Sequence, residues 1–85
     1  MTKQDVFQAV KTNIYEVLPY LVGKEIAIES SLKDLGANSI DRMEIVTMSM
    51  ENLHVKIPPS EFSDVKNLEG LVNLLLEKVN GPFVY

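Results

Sequence analysis

Apolar residues fall at helical spacing in three separate stretches of the chain. In the first, Val6, Val10, Ile14, Val17 and Leu21 recur along one face, with Phe7 and Leu18 flanking the same stripe. This predicts a helix from Lys3 to Leu18. Asp5 lies near its start, where a negative charge suits the helix dipole, and Pro19 and Gly23 stop it. The second stretch predicts a helix from Ser39 or Ile40 to Leu53. Asn38 is a good N-cap, Asp41 three residues later completes a capping-box pattern with a shorter acid, and Pro58 and Pro59 bar continuation. The third begins near Asn67, where Leu68, Leu71, Val72, Leu75, Leu76 and Val79 give a broad apolar face. Asn80-Gly81-Pro82 ends it and leaves the apolar tail Phe83-Val84-Tyr85 to dock or fray.

Between these stretches the pattern weakens. Residues 19–38 form a long connection containing the turn and cap residues Gly23, Ser30, Ser31 and Gly36. Ile26 and Ile28 alternate with polar neighbours, but the run is too short to stand as a sheet, so these isoleucines are expected to pin the loop onto the core. Ser30 to Leu35 has the composition of a single helical turn, and Ser60 to Asp64 has room for another, anchored by Phe62. Long connections in small domains tend to be functional. The expectation is an all-α fold of three main helices and one short one, a single domain over residues 1–85.

Composition narrows the function. Of the 85 residues, 46 % are hydrophobic and 24 % charged, an ordinary globular balance. So small a chain builds only a modest core, which favours binding, carrying or adapting over self-contained catalysis. Cysteine is absent, which removes disulfides, thiolate metal sites and thiol nucleophiles. The lone His54 builds no metal site by itself. A net charge of −4 offers no cationic footprint for nucleic acid and is repelled by anionic membrane surfaces, but it attracts basic partner proteins. No secretory signal opens the sequence and no apolar run spans a bilayer, so a cytoplasmic monomer is expected.

The second helix carries more apolar residues than one face can bury. At about 100° per residue, Ile45, Val46 and Leu53 cluster with the small Ser49 as one core face. Ile40, Glu44, Thr47 and Glu51 lie opposite, and Met43, Met48 and Met50 flank the two groups. The methionines either fill gaps in the core or form adaptable contacts for several partners. Asp41, Glu44, Met48 and Glu51 form an acidic strip with one apolar member, read either as a solvated face or as a docking face.

Ser39 sits where a polar turn meets this helix, in the run Asp34-Leu35-Gly36-Ala37-Asn38-Ser39-Ile40-Asp41. A phosphate ester on its oxygen would meet free N–H groups and a favourable dipole. Two readings stand: a helix cap, or an attachment point. No histidine lies near it in sequence and no Gly-x-Ser-x-Gly elbow surrounds it, so Ser39 is not a nucleophile for its own catalysis.

The run Leu35-Gly36-Ala37-Asn38-Ser39-Ile40-Asp41, followed by Glu44-Ile45-Val46 and Ile57-Pro58, resembles the acyl carrier proteins over nearly the whole chain. The resemblance implies a four-helix bundle with a long first loop. It also implies covalent 4′-phosphopantetheine on Ser39, added from coenzyme A by a phosphopantetheinyl transferase. The family's recognition helix maps onto residues 40–53, with Asn38, Ile40, Asp41, Arg42, Met43, Glu44, Thr47, Met48 and Glu51 as its partner-binding positions. Asn38 replaces the usual aspartate, and Arg42 and Met50 make the helix less acidic than is common in fatty-acid carriers. The variant Gly36-Ala37-Asn38-Ser39-Ile40-Asp41-Arg42 is most similar to free-standing donor carriers of polyketide β-branching cassettes. The partners implied there are an acyltransferase, a ketosynthase-like decarboxylase that turns malonyl into acetyl, and a synthase similar to hydroxymethylglutaryl-CoA (HMG) synthase. The alternatives are a fatty-acid or peptidyl carrier, or an unmodified helical adaptor.

Overall fold

The structure, a computed structural model, describes residues 1–81. It holds three α-helices, α1 (Lys3–Val17), α2 (Ser39–Leu53) and α3 (Leu68–Asn80). Two 3₁₀ turns, Pro19–Leu21 and Pro59–Phe62, complete the regular structure, with no strand among the described residues. The expected tail at residues 83–85 lies outside the described residues.

Each helix starts on a side-chain cap. The Thr2 hydroxyl accepts from the Asp5 N–H at 3.1 Å while the Asp5 carboxylate accepts from the Thr2 N–H at 2.9 Å. The Thr2 backbone N–H foremost, and the Thr2 side chain beside it second, favour the charged carboxylate and hold the Asp5 carboxyl below its ordinary range. The helix stops at Val17, one residue short of the expected end, because a residue before proline is pushed out of the helical region and Leu18 precedes Pro19. Asn67 caps α3 through the Gly70 N–H at 2.9 Å.

The short fourth helix of the expected bundle is present only as a 3₁₀ turn. Residues 59–62 make one 3₁₀ turn and no α-helix. Pro59 opens the turn, the Ser63 hydroxyl donates back to the Ser60 carbonyl at 2.9 Å, and the Val65 N–H returns to Phe62 at 3.0 Å, so no i→i−4 ladder propagates. Phe62 is half-buried against the core, as its role of anchor requires. Residues 32–36 likewise form hydrogen-bonded turns, with one helix-type bond from the Leu35 N–H to the Ser31 carbonyl at 3.1 Å.

The core lies where α1 meets the other two helices. Val6, Val10 and Ile14 of α1, Ile45 of α2, and Leu68, Val72 and Leu75 of α3 are almost wholly excluded from solvent. Ile26 is buried among them and Ile28 packs beside it, so the long loop is pinned as expected. The loop is also tied by its backbone. The Leu68 and Glu69 N–H groups donate to the Ser30 and Ile28 carbonyls, both at 2.8 Å, so donors that the first turn of α3 leaves unpaired find partners on the loop.

One polar network sits inside the α1–α2 interface. The Asn13 amide nitrogen donates to Ser49 Oγ and to Asn52 Oδ1, each at 3.0 Å, and Ser49 Oγ donates to the Ile45 carbonyl at 2.8 Å. Asn13 and Ser49 are both buried, and every buried side-chain nitrogen and oxygen among the described residues is paired. Among the described residues, no helix is long and apolar enough to cross a membrane.

Candidate functional site

The loop before α2 is built to present residue 39. Its last residues turn through Gly36 at φ +98°, a conformation that side-chain-bearing residues rarely adopt. Tyr20, from the first 3₁₀ turn, spans the loop and donates its hydroxyl to the Leu35 carbonyl at 2.7 Å. Ala37 is buried and fixes the turn to the core, so the backbone emerges at Asn38 with little freedom.

Asn38 is the N-cap of α2. Its side-chain oxygen accepts from the Asp41 N–H at 2.8 Å, and the Asp41 carboxylate accepts from the Asn38 N–H at 3.3 Å. The cap reading of Ser39 is thereby answered: Asn38 does the capping and Ser39 is the first helical residue. Ser39 is exposed, and its hydroxyl is not idle, because it accepts from Arg42 Nη2 at 3.3 Å across one helical turn. A phosphate ester on this oxygen would have solvent around it, a helix N-terminus beneath it and a guanidinium beside it, so the residues present fit that group.

The expected partner face is resolved residue by residue. Asn38, Ile40, Arg42, Met43, Glu44, Thr47 and Glu51 are exposed. Ile40 and Met43 stand out at 75 % and 71 % exposure, an apolar pair close in sequence to Ser39. Asp41 and Met48 are half-buried, and the Asp41 carboxylate is committed to the cap, so the acidic strip in solvent is Glu44 and Glu51. The methionines divide: Met43 faces solvent, while Met50 packs against the core beside Val46. Ile45, Ser49 and Leu53 face inward. The lone His54 ends α2 in the left-handed conformation at φ 56°, exposed and serving the helix end.

An open groove of about 880 Å³ runs between α2 and the segment from the second 3₁₀ turn into α3. Val46, Met50, Phe62 and Leu71 contribute to its apolar wall. Arg42 lies on its rim as well as against Ser39. Three contributions went unread in the sequence: the Arg42–Ser39 contact, the Tyr20 brace and the Asn13 network. Asn13 did leave a signal, a polar residue at helical spacing between Val10 and Val17 on the apolar stripe.

The profile of the family described as "Phosphopantetheine attachment site" matches residues 8–75. The chain is 49 % identical to the polyketide biosynthesis acyl-carrier-protein AcpK of Bacillus subtilis (strain 168), over 93 % of this chain and 96 % of that one. It is 32 % identical to an acyl carrier protein of Petrotoga mobilis, over 94 % of each. Its fold matches a chain of the crystal structure of the curacin biosynthetic pathway HMG synthase in complex with acetyl donor-ACP. That match has a TM-score of 0.81 and 36 % identity, and covers 87 % of this chain and 95 % of that chain. The chain belongs to the acyl carrier protein family, whose members hold 4′-phosphopantetheine covalently. It is a carrier and not a catalyst.

Proposed function

We propose that Ser39 is the attachment oxygen, and that the chain serves a polyketide pathway as the acetyl donor to an HMG-synthase-type enzyme. The observation that carries the first part is the exposed Ser39 hydroxyl on the first residue of α2, with the capping work done by Asn38. When bound, the pantetheine arm supplies the thiol that this cysteine-free chain lacks, on which an acyl group is carried as a thioester. The chain's own residues do the rest. The Tyr20-braced loop fixes where the arm begins, Arg42 offers its guanidinium at the ester, and Ile40 and Met43 give a visiting enzyme an apolar seat beside it.

The second part is supported by likeness to AcpK and to a chain of the HMG synthase–acetyl donor complex. Phosphopantetheinyl transferase, acyltransferase and ketosynthase-like decarboxylase complete the proposed partner set. The test has two stages. Incubation with coenzyme A and a phosphopantetheinyl transferase should add the mass of one arm to the wild type and none to Ser39→Ala. The acetylated product should then pass its acetyl group to an HMG-synthase-type enzyme, while a fatty-acid carrier assayed in parallel should not. Mass gain in Ser39→Ala would refute the attachment site, and equal transfer from both carriers would refute the donor specialisation.

A further inference from the structure

Arg42 is set apart from the other charges of α2 by what it touches. It stands three residues after Ser39, and helical side chains lean back toward the N-terminus, so its stem crosses the first turn toward residue 39. Its Nη2 donates to Ser39 Oγ at 3.3 Å. Among the described residues no carboxylate pairs with the guanidinium. The neighbouring Asp41 carboxylate accepts from the Asn38 N–H and serves the cap. The two ion pairs found there, Lys3–Glu69 and Lys78–Glu61, do not involve Arg42. The helix start needs nothing from Arg42 either, because Asn38 and Asp41 complete the capping box between them. An exposed arginine thus aims an N–H at the hydroxyl read as the attachment point, and no structural task accounts for it.

From this we infer that Arg42 assists the modification of its own chain, its guanidinium neutralising the charge that builds at Ser39 Oγ and on the arriving phosphoryl group as the arm is transferred from coenzyme A. The inference rests on the attachment proposed above and deepens it by giving the carrier a part in the loading chemistry, with the transferase still the enzyme. In this step Ser39 Oγ attacks the phosphorus that bears pantetheine, and the hydroxyl proton passes to a base of the transferase. The Oγ–P bond forms as the anhydride bond to the neighbouring phosphate breaks. The electron pair of that bond leaves on the oxygen of adenosine 3′,5′-bisphosphate. Catalysis of such transfers is almost entirely positioning and charge stabilisation, and an arginine supplied from a second protein is one recurring source of it. A guanidinium carries five donors in a planar fork, so one N–H can stay on Oγ while another turns to a non-bridging oxygen of the same phosphorus. Arg42 is exposed in the free chain, and docking of the transferase removes water that screens it.

The test follows arm addition by intact mass, with coenzyme A saturating and a phosphopantetheinyl transferase in excess at varied concentration. The limiting rate and the half-saturating concentration are then read separately. Arg42→Gln should lower the limiting rate at least about tenfold and leave the half-saturating concentration within about twofold of the wild type. Arg42→Lys should fall between the two, since it keeps the charge and loses the fork. Guanidinium at a millimolar, non-denaturing concentration should raise the rate of Arg42→Ala and leave the wild type unchanged. Urea unfolding should show each variant folded like the wild type, because Arg42 is exposed and no cap depends on it. An unchanged limiting rate in Arg42→Gln, a change in half-saturating concentration alone, or a lost rate that guanidinium does not relieve would each overturn the inference with the attachment reading intact. Failure of the wild type to gain an arm, or a gain in Ser39→Ala, would overturn both.

Discussion

The Tyr20 hydroxyl occupies the space where a side chain at Gly36 would begin. The same oxygen donates to the Leu35 carbonyl at 2.7 Å, so one contact excludes a methyl group and bonds the backbone beside it. Gly36 also sits at φ +98°, so Gly36→Ala meets both backbone strain and a collision. We expect that variant to lose about 1–3 kcal/mol in urea unfolding. Tyr20→Phe should lose about 0.5–1 kcal/mol, at the low end because the residue is more than half exposed. The double variant should cost less than the sum, since Tyr20→Phe removes the atom that the alanine strikes. Strict additivity would show that the two residues do not interact.

The two residues that open α2 have separable roles. Asn38→Ala removes the side-chain acceptor for the Asp41 N–H and should cost about 1 kcal/mol by denaturant unfolding. Ser39→Ala should stay within about 0.5 kcal/mol of the wild type, because Ser39 is exposed and holds no cap. Intact-mass analysis should give the reverse order, with the arm added to Asn38→Ala and absent from Ser39→Ala.

The buried network between α1 and α2 depends on one amide. Asn13→Ala strips Ser49 and Asn52 of their shared donor inside the interface and should cost about 1–3 kcal/mol. Asn52→Ala should cost less, since Asn52 is exposed and water replaces what it loses. Thermal unfolding of the two variants ranks them directly.

Asp5 makes stability depend on acid. Its carboxyl titrates below the ordinary 3.8 because the charged form accepts from Thr2. A group whose folded-state pKa is depressed contributes stability above its unfolded value, and that contribution is lost as pH falls through the folded one. The Asp5 carboxyl followed by NMR should therefore titrate below 3.8. Thr2→Val should raise the midpoint only part of the way, because the residue 2 backbone N–H, the larger cause, remains.

Ile40 and Met43 should matter for partners and not for folding. At 75 % and 71 % exposure neither contributes much to the core, so Ile40→Ala and Met43→Ala should unfold within about 0.5 kcal/mol of the wild type. If they seat an HMG-synthase-type enzyme, each should weaken its binding by about 1–2 kcal/mol in calorimetry. Unchanged affinity in both variants would move the docking face elsewhere.

Much of this was legible in the chain. The helices came from apolar spacing, and their starts from Asn38 and Asn67, because a cap is a local interaction written within four residues. Ser39 stood out for the same reason. The short fourth helix is present only as a 3₁₀ turn, whose bonds from Ser63 to Ser60 and from Val65 to Phe62 reach back three residues, a choice of ladder that composition does not write. Long-range contacts were invisible: Tyr20 lies fifteen residues from Leu35, and Asn13 thirty-six from Ser49.

The two backbone bonds from the first turn of α3 to the Ile28 and Ser30 carbonyls have a kinetic consequence. They make the loop leading to Ser39 open and close with a helix, so the Leu68 and Glu69 amides should exchange with solvent no faster than the helix turn they belong to. If partners dock beside Ser39, they then meet a loop whose upstream half is already held by a helix. Encounter should then be timed by diffusion and charge, and association rates should follow ionic strength more than temperature.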